Sequence, residues 1–131
     1  MENSNSRFKF RVWLLRHNAM AQVSVINNLT EPESDLFKYI SCYGTHPGVH
    51  DWKDIILIQF TGLLDKTGKE IYEGDIINVW PQEGGTVRRG TVTWNPNSVD
   101  YEIRNGDNFE RAFGIEGDVY EVIGNIYEQE L

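Results

Sequence analysis

The sequence predicts a mainly β protein, a small SH3-like pseudo-barrel of short antiparallel strands with one helix from the region 30–43. Two patterns predict the strands: apolar residues come in short or alternating runs, and turn-forming residues interrupt these runs every several positions. The clearest case is the segment 59–79, because Gly62, Gly68 and Gly74 separate its apolar runs. Each glycine would destabilise a helix interior by about 1 kcal/mol, so we expect turns and strands here.

Strict alternation begins after a polar leader, residues 1–6, which we expect to be flexible. The pattern predicts a first strand with Phe8, Phe10 and Val12 on its buried face. After a turn at Arg16–Asn18, the segment Met20–Ile26 returns as the partner strand of a hairpin. We interpret the basic row on the other face as solvated side chains that discourage edge pairing, with contact to an anion or phosphate as the alternative. That face carries Arg7, Lys9, Arg11 and Trp13.

A helix is predicted after this hairpin. Thr30 is a suitable N-cap, Pro32 fits the first turn, and Leu36 begins an apolar stripe at helical spacing. Since Lys38–Tyr43 is equally compatible with a strand, the expectation for residues 30–43 is a helix or mixed structure. The Gly- and Pro-containing segment Gly44–Lys53 is expected to be an exposed loop.

The second half alternates predicted strands with strong turn signals. Asn105-Gly106 is the dipeptide most typical of a tight hairpin, and Gly124 is expected to mark a bulge. Short strands at this spacing favour a small barrel over a parallel sheet with crossover helices. The predicted strands are Asp75–Trp80, Arg89–Trp94, Tyr101–Ile103, Phe109–Phe113 and Tyr120–Tyr127.

The totals favour one soluble cytoplasmic domain over residues 1–131. A chain of 131 residues with 40% hydrophobic residues can bury one core. The single cysteine, Cys42, permits no internal disulfide, and we find neither a signal sequence nor a membrane-spanning apolar run. The formal charge of −8 repels phosphate, which disfavours nucleic-acid binding without excluding it.

The chemistry-bearing residues predict no enzymatic activity and no cofactor. His46, His50 and Asp51 have the ligand types for a metal ion. The Pro-Gly turn between the histidines prevents the one-face helical spacing of zinc motifs, and a fourth protein ligand would have to be Cys42. We therefore interpret these residues as part of an ordinary loop.

The aromatic residues suggest a binding surface. The chain holds more Trp and Tyr than a small β core easily hides, so some should lie at the surface, where they anchor partners or stack on bases. The acidic charge favours a protein partner or self-association over single-stranded nucleic acid. The candidate binding surface joins the tryptophans to the basic clusters: Arg7, Lys9, Arg11, Trp13, Trp52, Trp80, Arg88, Arg89 and Trp94.

Three blocks of the chain resemble the YopX-like proteins of bacteriophages and prophages. They are Lys-Phe-Arg-Val-Trp at 9–13, Phe-Thr-Gly-Leu-Leu-Asp-Lys-Thr-Gly-Lys-Glu-Ile-Tyr-Glu-Gly-Asp-Ile at 60–76, and Glu-Val-Ile-Gly-Asn-Ile-Tyr-Glu at 121–128. The resemblance implies a mostly β pseudo-barrel with a helix, encoded by a phage or an integrated element of a bacterial host. It supplies no catalytic residues, because the family has no established activity. Within the middle block we expect Asp75 to accept backbone hydrogen bonds at its turn and Glu73 to stay solvated.

We therefore predict a non-enzymatic binding or assembly module that interacts with a protein partner or with itself. The alternative is a nucleic-acid-associated accessory protein that uses Arg7, Lys9, Arg11 and Arg88-Arg89 as a basic stripe.

Overall fold

The computed structural model of the protein describes residues 9–28, 38–106 and 108–128, which form two antiparallel sheets. The described residues contain one 3-10 turn, Trp52–Asp54, and no α-helix. A mainly β fold is therefore confirmed, while closure into a pseudo-barrel stays a prediction. The strands are β1 (Phe10–Leu14), β2 (Ala19–Asn28), β3 (Lys38–Tyr43), β4 (Gly48–Asp51), β5 (Ile55–Leu64), β6 (Glu70–Tyr72), β7 (Asp75–Trp80), β8 (Arg88–Asn95), β9 (Asp100–Asn105), β10 (Phe109–Ala112) and β11 (Val119–Asn125).

The described residues divide into two compact units. The N-terminal unit is Lys9–Gln59, and the C-terminal unit contains the described residues from Phe60 onwards. Strand β5 begins in the first unit and ends in the second. The single domain expected over residues 1–131 stays a prediction.

In the N-terminal unit the strands lie in the order β4-β3-β2-β1-β5. The predicted hairpin of β1 and β2 is confirmed, with Val12 opposite Ala21. Strand β1 also pairs with β5, so it lies inside the sheet and presents no backbone edge to solvent. The unit's core is Val12, Leu14, Ala21, Ile40, Cys42 and Ile55.

Burial on both faces of β1 corrects one prediction. Arg11 and Trp13 were expected on a solvated face, but they are only 8% and 6% exposed. The two-residue period assigned the faces correctly, since Val12 and Leu14 share the core face. The alternation alone could not show that the face of β1 carrying Arg11 and Trp13 is also covered.

The helix predicted for the region 30–43 is not supported. Lys38–Tyr43 is strand β3, and its buried residues, Ile40 and Cys42, alternate with more exposed neighbours as a strand requires. Residues 29–37 lie outside the described part of the chain. The predicted loop Gly44–Lys53 also contains regular structure, since β4 and the 3-10 turn begin within it.

The C-terminal unit contains a five-stranded sheet in the order β10-β9-β8-β7-β11. Its strands match the predicted segments closely, and the hairpin at Asn105-Gly106 joins β9 to β10. The register of β11 against β7 shifts between Val122 and Gly124, which confirms the predicted bulge. The core is Ile71, Ile77, Val79, Val92, Ile103 and Tyr120.

The middle block supplies the tight turns of this unit. Asp75 accepts a hydrogen bond from the Tyr72 amide at 2.8 Å, as predicted. Asp65 is buried and accepts hydrogen bonds from the Thr67, Lys69 and Val122 amides. The block is therefore a set of folding determinants. In the part of the chain that the structure describes, no helix is long and apolar enough to cross a membrane.

Candidate functional site

Four aromatic side chains of the C-terminal unit form a continuous row of ring contacts, here called the aromatic row: Trp94, Tyr101, Phe113 and Tyr120. Trp94 meets Tyr101 at 5.1 Å between ring centroids, with the rings 70° apart. Tyr101 meets Phe113 at 6.4 Å, and Phe113 stacks on Tyr120 at 4.9 Å. Perpendicular and stacked contacts at these distances are favourable aromatic geometries, so the rings hold one another in place.

The hairpin of β8 and β9 sets the position of the row. Trp94 lies directly opposite Tyr101, and the next pair on the same face is Val92 with Ile103 in the core. Tyr101 and Trp94 therefore lie on the same face of the sheet as the core residues Val92 and Ile103, nearer to the end of the hairpin. Trp94 is 43% exposed. At the other end of the row Tyr120 is buried, and its hydroxyl accepts a hydrogen bond from the Gly114 amide.

One carboxylate lies beside the exposed end of the row. The Gly74 amide donates to the Val92 carbonyl at 2.8 Å, which holds the Glu73-Gly74 turn against β8 on the side of Tyr101, whose pKa the Glu73 charge affects. Glu73 is half-buried, and burial raises the pKa of its carboxyl. Burial also raises the pKa of Tyr101, with a further contribution from the Glu73 charge. Glu73, which was predicted to stay solvated, is therefore only partly exposed.

The structure gathers only part of the candidate binding surface. Arg7 lies outside the described residues, Lys9 is exposed, and Trp52 is half-buried against the N-terminal core. Trp80 is also half-buried, and the Lys66 ammonium lies 4.2 Å from the centre of its ring. Among the four tryptophans Trp94 is the most exposed.

Arg88 and Arg89 are exposed neighbours in sequence that lie on opposite faces of β8. The Arg88 guanidinium lies 4.4 Å from the centre of the Phe109 ring. Arg89 is on the face opposite Trp94, where Arg104 is paired with Glu102 and Glu110. The pair therefore does not form one basic patch.

Sequence reasoning missed Tyr101, Phe113 and Glu73 as members of the site. The position of Tyr101 depends on the register of the hairpin: Asn95 lies opposite Asp100 and Trp94 opposite Tyr101, whereas the predicted turn Asn95–Ser98 would place Val99 opposite Trp94. Phe113 and Glu73 are brought to the row by loops and turns whose paths no local pattern reveals.

A second cluster lies in the N-terminal unit and contains the three histidines of the chain. The ring of His17, in the β1–β2 loop, stacks on His46 with centroids 3.9 Å apart and meets the edge of His50 at 6.0 Å. The His50 Nε2 lies 2.9 Å from the His46 carbonyl oxygen. The sequence indicated His46 and His50 but not His17. Among the described residues no group of three or more His, Cys, Asp or Glu is placed to hold a metal ion.

We expect this histidine cluster to make the N-terminal unit less stable in mild acid. Desolvation, followed by the charges of His46, His50 and Arg16, lowers the pKa of His17 below its ordinary value of 6.5. The unfolded chain then binds a proton at His17 more readily than the folded protein does. The contribution of His17 to stability is therefore fully present above pH 6.5 and is lost as the pH falls through the lower pKa of the folded protein. The melting temperature should fall between about pH 7.5 and about pH 5.5.

His17→Gln should flatten this pH dependence, and comparison with the unmodified protein removes the contribution of other groups. Arg16, whose charge contributes to the lowered pKa of His17, is paired with Asp54 at 3.3 Å and is unchanged in the variant. Equal slopes in the two proteins would show that the histidine contacts do not respond to protonation.

The two antiparallel sheets and the aromatic row together define a mainly β protein with a partly exposed aromatic surface. Residues 9–130 match the family described as YopX protein, so the chain belongs to the YopX family. The structure resembles the crystal structure of protein EF1440 from Enterococcus faecalis, with a TM-score of 0.53 and 24% sequence identity. The similarity covers 92% of this chain and 93% of that chain, and it supports the fold alone. No curated protein sequence matches the chain.

Proposed function

We propose that this member of the YopX family is a non-enzymatic binding module that binds a protein partner through the exposed end of its aromatic row. The observation that carries the proposal is Trp94, which is 43% exposed yet held edge-on against Tyr101. Tryptophan and tyrosine are enriched among the residues that dominate protein interfaces. A ring already fixed by its neighbours loses little conformational entropy when a partner covers it.

The proposal retains the phage or prophage context that the sequence resemblance implies, with the bacterial cytoplasm as the place of action. It favours a protein over nucleic acid as the partner, since the formal net charge is −8 and Arg88 and Arg89 lie on opposite faces of β8. A second copy of the chain counts as a protein partner.

The proposal predicts that Trp94→Ala abolishes partner capture without unfolding the protein. Purified protein, Trp94→Ala and the control Ile123→Ala would each be immobilised and exposed to extract of the bacterial host. Ile123 is an exposed apolar residue at the sheet edge, so its truncation tests non-specific loss of apolar surface. We expect a partner retained by the unmodified protein and by Ile123→Ala, and reduced at least about tenfold by Trp94→Ala.

Two further measurements distinguish the alternatives. A mass that rises above 15.1 kDa with concentration in light scattering, and does not rise for Trp94→Ala, would identify the partner as a second copy. A salt-dependent gel shift with DNA that Trp94→Ala leaves unchanged would favour the nucleic-acid alternative. Capture of the same proteins by Trp94→Ala as by the unmodified protein would overturn the proposal.

A further inference from the structure

We propose that the group recognised at the aromatic row is a cation, a Lys or Arg side chain from a basic segment of the partner, held against Trp94 and Tyr101 with Glu73 as its counter-charge. This inference rests on the proposed function and names the chemistry of the partner.

The two outer rings of the row meet at a steep angle where the row reaches the surface. The rings of Trp94 and Tyr101 are 70° apart with centroids at 5.1 Å, so one ring's edge meets the other's face and the partly exposed Trp94 faces outwards. The negative face of an indole attracts a guanidinium or ammonium group that lies within about 6 Å of the ring centre. Lys66 over Trp80 and Arg88 over Phe109 show the same pairing within this unit, at 4.2 Å and 4.4 Å.

Glu73 differs from the other partly buried acids of the unit. Asp65 accepts several backbone hydrogen bonds, while Glu102 and Asp118 are paired with arginines. Within residues 9–28, 38–106 and 108–128, no hydrogen bond or ion pair compensates the half-buried Glu73 carboxylate. A cation docked on the neighbouring rings would supply that compensation, and the interaction would be strengthened because Glu73 is already partly desolvated.

The charge of the chain acts in the same direction. With 20 acidic and 12 basic residues, the protein attracts a basic segment over a longer range than the contact itself. Such attraction is not specific to a site, so the test must separate Glu73 from the general acidity of the chain.

The experiment measures fluorescence anisotropy of a labelled peptide of about ten residues that alternates arginine with glycine, at about 0.15 M salt. A second peptide carries citrulline, which keeps the planar end of arginine without its charge. Both are titrated with the unmodified protein, Glu73→Gln, Trp94→Ala and the control Glu110→Gln. Glu110 is exposed on the opposite face of the sheet, where it is paired with Arg104 at 3.2 Å, and its substitution removes the same charge.

We expect Glu73→Gln and Trp94→Ala each to weaken binding of the arginine peptide at least about fivefold. Glu110→Gln should change it by less than about twofold. The citrulline peptide should bind the unmodified protein at least about fivefold more weakly than the arginine peptide does, because it lacks the charge that both the rings and Glu73 attract. Glu73→Gln should fold normally and melt no lower than the unmodified protein, because burial disfavours the charged form of this residue.

Equal affinities for Glu73→Gln and Glu110→Gln, or equal binding of the two peptides, would overturn the inference. If the captured partner still depended on Trp94, the proposed function would stand and only the cationic recognition would fail. If neither the partner nor the peptide depended on Trp94, both proposals would fail.

Discussion

Replacing Asp65 with alanine is expected to destabilise the C-terminal unit by about 3 kcal/mol or more, one of the two largest effects foreseen for a single substitution. The carboxylate accepts hydrogen bonds from the amides of Thr67, Lys69 and Val122 at 2.8, 3.0 and 2.9 Å, and from the Thr67 hydroxyl at 2.7 Å. Alanine would leave three amides without this acceptor, two in the partly buried turn and one in β11. Desolvation of those amides is the main expected cost.

The contact to Val122 gives Asp65 a role beyond its own turn. Strand β11 is an edge strand, and Asp65 binds one of its outward-pointing amides. The next residue continues this contact, since the Lys66 amide donates to the Tyr120 carbonyl at 2.8 Å. The turn therefore covers part of an edge that could otherwise pair with another chain.

The same carboxylate predicts a specific response to acid. Burial alone would raise its pKa, but the hydrogen bonds from Val122, Thr67 and Lys69 outweigh it and lower the pKa from 3.8 to about 2. An acid whose pKa is lower in the folded protein than in the unfolded chain stabilises the fold at pH values above its unfolded pKa. Asp65 should therefore contribute about 2 kcal/mol to the free energy of unfolding above pH 3.8, and this contribution should be lost as the pH falls towards about 2. Asp65→Asn, which does not ionise, should lack this loss.

The measurements are chemical denaturation and amide hydrogen exchange. Glu116→Ala is the matched control, because it removes one negative charge from an exposed turn of the same unit and should change stability by less than about 0.5 kcal/mol. Exchange at the Val122 amide should accelerate in Asp65→Ala and not in the control. Equal stabilities for the two variants would show that the turn does not hold β11.

Most strands were predictable because their periodicity is local. In β8 apolar residues alternate with polar ones from Thr91 onwards, β7 is a short apolar-rich run, and turn residues bound both strands, so sequence and structure agree within a residue or two. Strand β3 was not predictable, because Lys38–Tyr43 fits either period. Its extended conformation depends on pairing with β2 and β4, and these contacts with other segments cannot be read from the sequence of Lys38–Tyr43 alone.

The candidate site was predictable at one residue and not at its neighbours. Trp94 was named with the other three tryptophans because the chain holds more Trp and Tyr than a small β core easily hides, an argument that does not distinguish it from them. Glu73 was assigned to solvent because its neighbours are turn residues. Its partial burial accompanies the hydrogen bond between the Gly74 amide and the Val92 carbonyl, a contact between a turn and a strand far apart in sequence. By contrast, the separation of Arg88 from Arg89 follows directly from the period of a strand.

The second large effect is expected at Gly74, where alanine should destabilise the protein by about 3 kcal/mol. Gly74 has φ +88°, its amide donates to the Val92 carbonyl, and its carbonyl accepts from the Ile126 amide. A Cβ built on this residue would lie 2.7 Å from Cε2 of Tyr127, closer than real side chains approach. Alanine therefore meets both an unfavourable backbone conformation and a steric clash.

Gly68 separates these two causes, because it has almost the same φ, +89°, and nothing within 4 Å of an added Cβ. Gly68→Ala should therefore report the conformational cost alone, about 1 kcal/mol, and the remaining 2 kcal/mol or so at Gly74 should be steric. If so, Gly74→Ala introduced into Tyr127→Ala should lose only about as much stability as Gly68→Ala does, because the truncated ring no longer occupies that space. A full loss in the double variant would assign the cost to the backbone. In that case Gly74 would be required by the backbone conformation of its turn and not by the close approach of the Tyr127 ring.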